Sequence, residues 1–176
     1  MTILIIILSL VALIFIVAAL SPTNWTIRAE IIINKSQSDV FNYIKILRNA
    51  EHYSKWVMTD PQLKKEFKGV DGTVGFVYSW ESVMKQVGQG EQEILNIVAS
   101  ERIDYEIRFI KPFEGVSKSS LILESVAESQ TKVTWTFSSS NNYMMKVFHV
   151  LMNLKKALAK DLHISLINLK TVLEKQ

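Results

Sequence analysis

The feature that most constrains this chain is a change of hydrophobic period along its length. Between residues 25 and 138, apolar residues recur at every second position in several short segments that are separated by turn residues. From residue 141 to the end there is no Pro or Gly, and apolar residues follow helical spacing. A period of two indicates half-buried strands, and a period of 3.6 indicates an amphipathic helix. The sequence therefore predicts an α+β protein in which an antiparallel sheet packs on one long C-terminal helix.

The strand segments follow one another in a way that is typical of hairpins. The predicted strands cover residues 25–33, 63–70, 73–80, 87–98, 102–109, 116–126 and 132–138. Asp71-Gly72 predicts a two-residue hairpin turn between the second and third of them. After the capping residue Ser36, helical spacing predicts one short helix, and a second is predicted over residues 50–56. No strand alternates with a long helix, so we expect a single meander instead of a parallel sheet.

The first twenty residues form a separate apolar segment. From Ile3 to Leu20 only Ser9 is polar and no residue is charged. Eighteen helical residues span about 27 Å, close to the thickness of the hydrocarbon core of a bilayer. We expect an uncleaved single-span membrane anchor at 1–21 and a folded domain at 22–176. A cleaved signal peptide is the alternative, although no basic residue precedes the run and the small-residue match at 18–21 is poor. The following Arg28 and Lys35 favour a cytoplasmic domain.

Composition and motifs exclude several kinds of site. The chain has no cysteine, which removes disulfides, thiol catalysis and thiolate metal ligands. Its net charge of +3 is too small and scattered to predict nucleic-acid binding. There is no HExxH pattern and no G-x-S-x-G elbow. We therefore predict no catalytic residue, no metal site and no cofactor.

The apolar faces of the predicted strands and helix converge on one interior. Two interpretations stay open: a filled aromatic core, or a cavity for an apolar ligand with a few polar groups on its wall. Gln92 favours the cavity, because it is a hydrogen-bonding group on the inward face of its strand, where the preceding Gly88 and Gly90 leave the wall thin. The predicted ligand-binding residues are Phe76, Tyr78, Trp80, Gln92, Tyr105, Phe109, Trp135, Met144, Phe148, Met152 and Lys155.

Lys155 is the one charged residue in that set. On a helical wheel it lies about 20° from Met144 and Phe148, near the centre of the apolar stripe. Its ammonium group either reaches water along the helix edge or meets the anionic head group of a ligand.

Several local motifs resemble a known superfamily. They are Val40-Phe41-Asn42-Tyr43-Ile44, Val77-Tyr78-Ser79-Trp80-Glu81, Val87-Gly88-Gln89-Gly90-Glu91, Arg102-Ile103-Asp104-Tyr105-Glu106, Lys111-Pro112-Phe113-Glu114, Thr131-Lys132-Val133-Thr134-Trp135, Lys160-Asp161 and Asn168-Leu169-Lys170. Their order resembles that of START-like proteins, in particular the polyketide cyclase/dehydrase-like (SRPBCC) branch, over residues 25–176. Ala159 and Ser165 depart from the pattern, because relatives often carry glycine at these positions.

The resemblance implies a helix-grip fold, in which a curved antiparallel sheet of about seven strands wraps around the C-terminal helix. It also implies a pocket for a hydrophobic ligand. The expected function is a membrane-anchored binding module for a lipid or other hydrophobic small molecule, with Ile3–Leu20 in the membrane and no nucleic-acid partner. Two alternatives stay open: a cyclase- or dehydratase-type enzyme that uses the same cavity, and a protein-interaction module with a filled core.

Overall fold

The computed structural model describes residues 2–140, 146–147 and 154–175 of the 176-residue chain. Helix α1 covers Thr2–Leu20, and it is long and apolar enough to cross a membrane by length and composition. The remaining helices are α2 (Gln37–Ile44), a 3-10 helix (Leu47–His52), α3 (Lys55–Met58) and α4 (Leu154–Glu174). The strands are β1 (Asn24–Ile33), β2 (Lys64–Lys68), β3 (Val77–Glu81), β4 (Gln89–Val98), β5 (Arg102–Lys111), β6 (Gly115–Ala127) and β7 (Gln130–Ser140).

The seven strands form one curved antiparallel sheet in the order β1-β7-β6-β5-β4-β3-β2. Strands β2 to β7 are a meander, as the short turn-linked segments predict. The first strand joins the last, with Asn24 opposite Ser140 and Ile33 opposite Thr131. The predicted α+β helix-grip architecture is therefore confirmed.

Helix α4 packs along β1 and buries its leucine stripe against the sheet. Leu162, Leu166, Leu169 and Leu173 are buried, and each such side chain contributes about 1.5–3 kcal/mol of burial energy. Polar contacts fix the C-terminal end of the helix. Lys170 Nζ donates to the carbonyl of Ile32 at 2.7 Å, and the Glu174 carboxylate accepts from the amide of Asn34 at 2.7 Å.

Helix α2 begins where the sequence predicts. Ser36 Oγ accepts a hydrogen bond from the amide of Asp39 at 3.2 Å, which satisfies one of the free donors of the first turn. Val40, Phe41 and Ile44 then bury one face of the helix. The second predicted helix, over 50–56, is found as two shorter pieces, the 3-10 helix and α3.

The predicted two-residue turn at Asp71-Gly72 is wrong. The last pair of β2 and β3 joins Lys68 to Val77, so the connection runs over residues 69–76. The Asp71 carboxylate instead accepts from the backbone amides of Leu47 at 2.7 Å and Arg48 at 3.1 Å. Because these bonds cap the 3-10 helix, the loop folds towards that helix and does not close a tight hairpin.

The sheet has two ends, which matter for the site. At the first end β1 begins, and there Asn24 pairs with Ser140, Glu81 with Gln89, and Gln89 with Lys111. We call this the anchor end, because α1, the helix predicted from the sequence to be an anchor, precedes it in the chain. The β3–β4 loop (82–88) and the β5–β6 loop (112–114) lie at the anchor end. The β2–β3 loop and the start of α2 lie at the opposite end.

Candidate functional site

The inner face of β2 to β5 carries a continuous aromatic cluster. Ring centroids of Phe67 and Tyr78 are 5.5 Å apart, and those of Tyr78 and Trp80 are 5.9 Å apart. Phe109 meets Trp80 edge to face at 6.1 Å. Phe76, buried in the loop before β3, stacks on Phe67 at 6.1 Å. Four residues predicted for the site, namely Phe76, Tyr78, Trp80 and Phe109, are therefore brought together with Phe67, which the sequence analysis missed.

A second aromatic group lies at β1 and β7, where the short helices cover the sheet. Trp135 meets Tyr53 edge-on at 6.1 Å and Trp56 at 6.0 Å. Its indole nitrogen donates to Ser119 Oγ at 2.8 Å. The structure thus places Trp135 and Trp80 in two different aromatic groups on the same inner face.

Tyr78 and Tyr105 bury their hydroxyl groups without a hydrogen-bond partner among the described residues. Burial raises the pKa of the Tyr78 phenol above its ordinary value, and nearby Glu51 adds to this effect. Burial also raises the pKa of Tyr105, with further contributions from Tyr53, Asp71 and Asp104. Both phenols are consequently protonated at neutral pH and can donate a hydrogen bond.

Small polar side chains of β6 and β7 share the inner face of the sheet with Tyr105. Ser119 lies opposite Tyr105, and Ser117 lies opposite Ile107. The hydroxyls of Ser117 and Ser139 are 2.9 Å apart, and Ser119 donates to the carbonyl of Thr136 at 3.0 Å. These serines were not predicted from the sequence. Ser117 and Ser119 are an even number of residues from the buried Leu121 and Leu123, and this spacing indicates that all four lie on the inner face of β6.

An ion pair stands at the edge of the aromatic cluster. Lys65 pairs with Trp80 in the sheet register, so both side chains lie on the inner face. Lys65 Nζ is 3.1 Å from a carboxylate oxygen of Glu51, and neither side chain is fully buried. This pair was not predicted from the sequence, because β2 is polar in composition and Glu51 comes from a different element.

The remaining predicted residues have differing positions. Gln92 is half-buried on β4, between Tyr78 on β3 and Ile107 on β5. The sequence predicted a thin wall beside Gln92, and the structure does not have one, because the Trp80 ring covers Gly90. Lys155 is partly exposed, and its Nζ lies 5.9 Å from the centroid of the Trp25 ring. Three further predicted residues lie outside the described part of the chain: Met144, Phe148 and Met152.

A surface pocket of about 440 Å³ lies elsewhere, between α2 and the end of α4. Its lining is mostly polar and consists of Lys35, Asp39, Asn42, Tyr43, Asn49 and Leu173. It contains none of the predicted site residues. We base the candidate site on the inner face of the sheet, because the unsatisfied hydroxyls and the aromatic cluster are found there.

Comparison with known proteins gives a family match and a set of similar folds. Residues 24–174 match the family model described as polyketide cyclase / dehydrase and lipid transport. No curated protein matches the chain. The fold is similar to that of a protein from Mesorhizobium loti, with 14% identity, 86% of this chain and 98% of the other covered, and a TM-score of 0.63.

Two further solved structures share the fold. Norcoclaurine synthase from Thalictrum flavum, in complex with dopamine and hydroxybenzaldehyde, is 16% identical over 92% of each chain, with a TM-score of 0.63. The Aha1 dimer from Colwellia psychrerythraea is 17% identical, with 85% of this chain and 96% of the other covered and a TM-score of 0.60. At such identities these similarities show the fold alone.

Proposed function

The chain belongs to the polyketide cyclase/dehydrase and lipid transport family, and we propose that it is a membrane-anchored module that binds a lipid or another hydrophobic small molecule. The ligand would lie against the inner face of the sheet, between the aromatic cluster and the serines of β6 and β7.

The observation that carries this proposal is the pair of buried hydroxyls on Tyr78 and Tyr105. A buried polar group without a partner costs about 1–3 kcal/mol. The inner face carries two such groups. A filled core would avoid their cost if phenylalanine stood at both positions. A ligand that accepts a hydrogen bond from one or both phenols would offset that cost.

The same groups define the chemistry of the ligand. Its apolar body would pack on Phe67, Trp80 and Phe109, whose rings form one connected surface. Its polar group would be an acceptor, such as a carbonyl, ester or carboxylate oxygen, because both phenols are protonated donors. The complex of norcoclaurine synthase with dopamine and hydroxybenzaldehyde supports the idea that this fold can hold small aromatic molecules.

The anchor completes the proposal. Helix α1 would cross the membrane through Ile3–Leu20, and residues 22–176 would form the binding domain on the cytoplasmic side, as Arg28 and Lys35 favour. Reporter fusions after Gln176 test the orientation. A reporter that is active only in the cytoplasm is expected, and activity of a periplasm-dependent reporter would overturn it.

Saturable binding of an apolar probe tests the binding function. We would titrate the full chain, purified in detergent, with a naturally fluorescent polyene fatty acid. Binding should saturate and should weaken in Trp80→Ala, whereas Val70→Ala, an exposed site at the opposite end of the sheet, should bind like the wild type. Absence of saturable binding together with a large loss of stability in Trp80→Ala would favour a filled core.

A second candidate function, an enzyme of the cyclase or dehydratase type, is favoured by one observation. Lys65 pairs with Glu51 on the inner face, and Glu51 is near enough to Tyr78 to raise the pKa of its phenol. A lysine, a carboxylate and a phenol together can move protons on a bound carbonyl compound. The test compares the compounds extracted from the wild type and from Glu51→Gln. A compound altered by the wild type and returned unchanged by the variant would favour the enzyme.

A further inference from the structure

We propose that the loops at the anchor end of the sheet contact the bilayer that holds α1, so that the inner face opens towards the membrane. This inference rests on the proposed anchor, and it adds a contact surface to it. The partner is a lipid bilayer surface, and the contact residues are those of the β3–β4 loop (82–88) and the β5–β6 loop (112–114).

The first argument is the short connection between α1 and the sheet. Ser21 continues the helix end, since its amide donates to the carbonyl of Ala18 at 3.2 Å and its hydroxyl to that of Val17 at 2.8 Å. Only Pro22 and Thr23 then separate it from β1. Four Cα steps from Leu20 to Asn24 span at most about 14 Å. A membrane-spanning α1 therefore holds the anchor end of the sheet close to the bilayer.

The second argument is the character of the loops at that end. Val83, at the tip of the β3–β4 loop, is 94% exposed, and Phe113 in the β5–β6 loop is 53% exposed. Lys85 and Lys111, next to these loop tips, are also exposed. Apolar tips with neighbouring lysines suit a membrane interface, where the apolar groups enter the acyl boundary and the lysines meet lipid phosphates.

Exposed apolar residues alone do not select this end. Val70 is 70% exposed and Val74 is 58% exposed, and both lie in the β2–β3 loop at the opposite end of the sheet. The short connection between α1 and β1 distinguishes the two ends, because it brings only the anchor end of the sheet to the bilayer surface. Val70 consequently serves as a matched control.

The aromatic cluster reaches the proposed contact surface. Trp80, Gly90 and Phe109 form the last inward-facing row before the two loops. The indole nitrogen of Trp80 donates to the carbonyl of Val87 at 3.2 Å, which ties the cluster to the β3–β4 loop. A lipid could therefore pass between the bilayer and the inner face at this end without crossing water.

The absence of cysteine allows a direct test with single labels. Leu10→Cys, Val83→Cys and Val70→Cys would each carry an environment-sensitive fluorophore in the full chain. The chains would be reconstituted in vesicles of phosphatidylcholine and phosphatidylglycerol that contain spin-labelled lipid as a quencher. We expect labels at 10 and 83 to lose roughly half of their fluorescence, because position 10 lies in the middle of the proposed span and the tip at 83 would insert about 5–10 Å into the headgroup and acyl boundary. The label at 70 should lose none.

The outcomes separate this inference from the proposed anchor. If the label at 10 is quenched but the label at 83 is as unquenched as the label at 70, the membrane contact is overturned and the anchor stays intact. Quenching at 70 equal to that at 83 would overturn the orientation of the sheet. A label at 10 that is not quenched would overturn the anchor and this inference together.

Discussion

The Trp80 ring occupies the space that a side chain at position 90 would need. An ideal Cβ at Gly90 would lie 2.6 Å from Trp80 Cζ2 and 2.6 Å from the carbonyl oxygen of Arg108. Gly90 is therefore the reason that Trp80 can lie flat over β4 and contact Phe109. The glycine places the aromatic cluster and does not leave a hole in the wall.

Gly90→Ala should destabilise the protein by about 1–3 kcal/mol, since the added methyl group overpacks a rigid backbone contact and displaces the indole. Chemical unfolding gives the free energy, and tryptophan emission reports the displaced ring. Gly115→Ala is the control, because a Cβ there meets nothing within 4 Å. Equal stability of the two variants would show that Trp80 does not depend on Gly90.

Stability should fall at alkaline pH. The pKa values of Tyr78 and Tyr105 are raised by burial, so the folded state keeps phenolic protons that the unfolded state loses near pH 10. The free energy of unfolding is therefore independent of these two phenols below about pH 10 and falls as the pH rises from there towards their folded-state pKa values. When the free energy of unfolding is measured at a series of alkaline pH values, its decrease with pH should be less steep in Tyr105→Phe than in the wild type. Tyr43→Phe, at a half-buried hydroxyl bonded to His52 at 3.1 Å, should change the slope less.

Arg108 on the outer face should matter more than a usual surface arginine. It contacts Glu91 at 2.5 Å, Glu93 at 2.8 Å and Glu106 at 2.7 Å. Arg108→Gln leaves three carboxylates close together, and we expect a loss of about 1–2 kcal/mol that added salt reduces. Arg28→Gln removes one exposed pair with Glu30 and should cost less. If Arg108→Gln and Arg28→Gln lose the same unfolding free energy at low salt, the three contacts of Arg108 do not act as a stabilising network.

Lys155→Met tests whether the ligand is anionic. The ammonium group lies over Trp25 at the anchor end, where we propose that the inner face opens towards the membrane. Affinity for a fatty acid should fall by about fivefold, since a partly exposed ion pair contributes up to about 1 kcal/mol. Affinity for the neutral methyl ester should stay the same. Lys156→Met, at the exposed neighbour, is the control, and an equal change for both ligands would leave Lys155 without a role in charge recognition.

The sequence predicted most of the fold because periodicity reports which face of an element is buried. The strands and the leucine stripe of α4 follow from spacing alone. The two-residue hairpin turn predicted at Asp71-Gly72 is wrong, because the Asp71 carboxylate bonds to amides that are more than twenty residues away in the chain. Such a contact leaves no local signal, and the dipeptide alone favours a hairpin.

The site was harder to predict than the fold. The inward positions of Tyr78, Trp80 and Phe109 could be predicted, because aromatic residues occupy alternate positions along β3 and β5. Ser117 and Ser119 were missed, because a serine on an inner face does not differ in composition from one on the surface. The Lys65–Glu51 pair needs the strand register and the position of the 3-10 helix, and neither can be derived from spacing.

Native mass spectrometry of the full chain, released from detergent, tests the central claim most directly. We predict that the wild type carries a bound hydrophobic compound, and that Tyr78→Phe and Tyr105→Phe carry less of it. Both variants should be more stable than the wild type without ligand by about 1 kcal/mol, because each removes an unpaired buried hydroxyl. Tyr43→Phe should keep the wild-type occupancy. Equal occupancy in all four proteins, or no bound compound in any of them, would contradict a ligand site at these phenols.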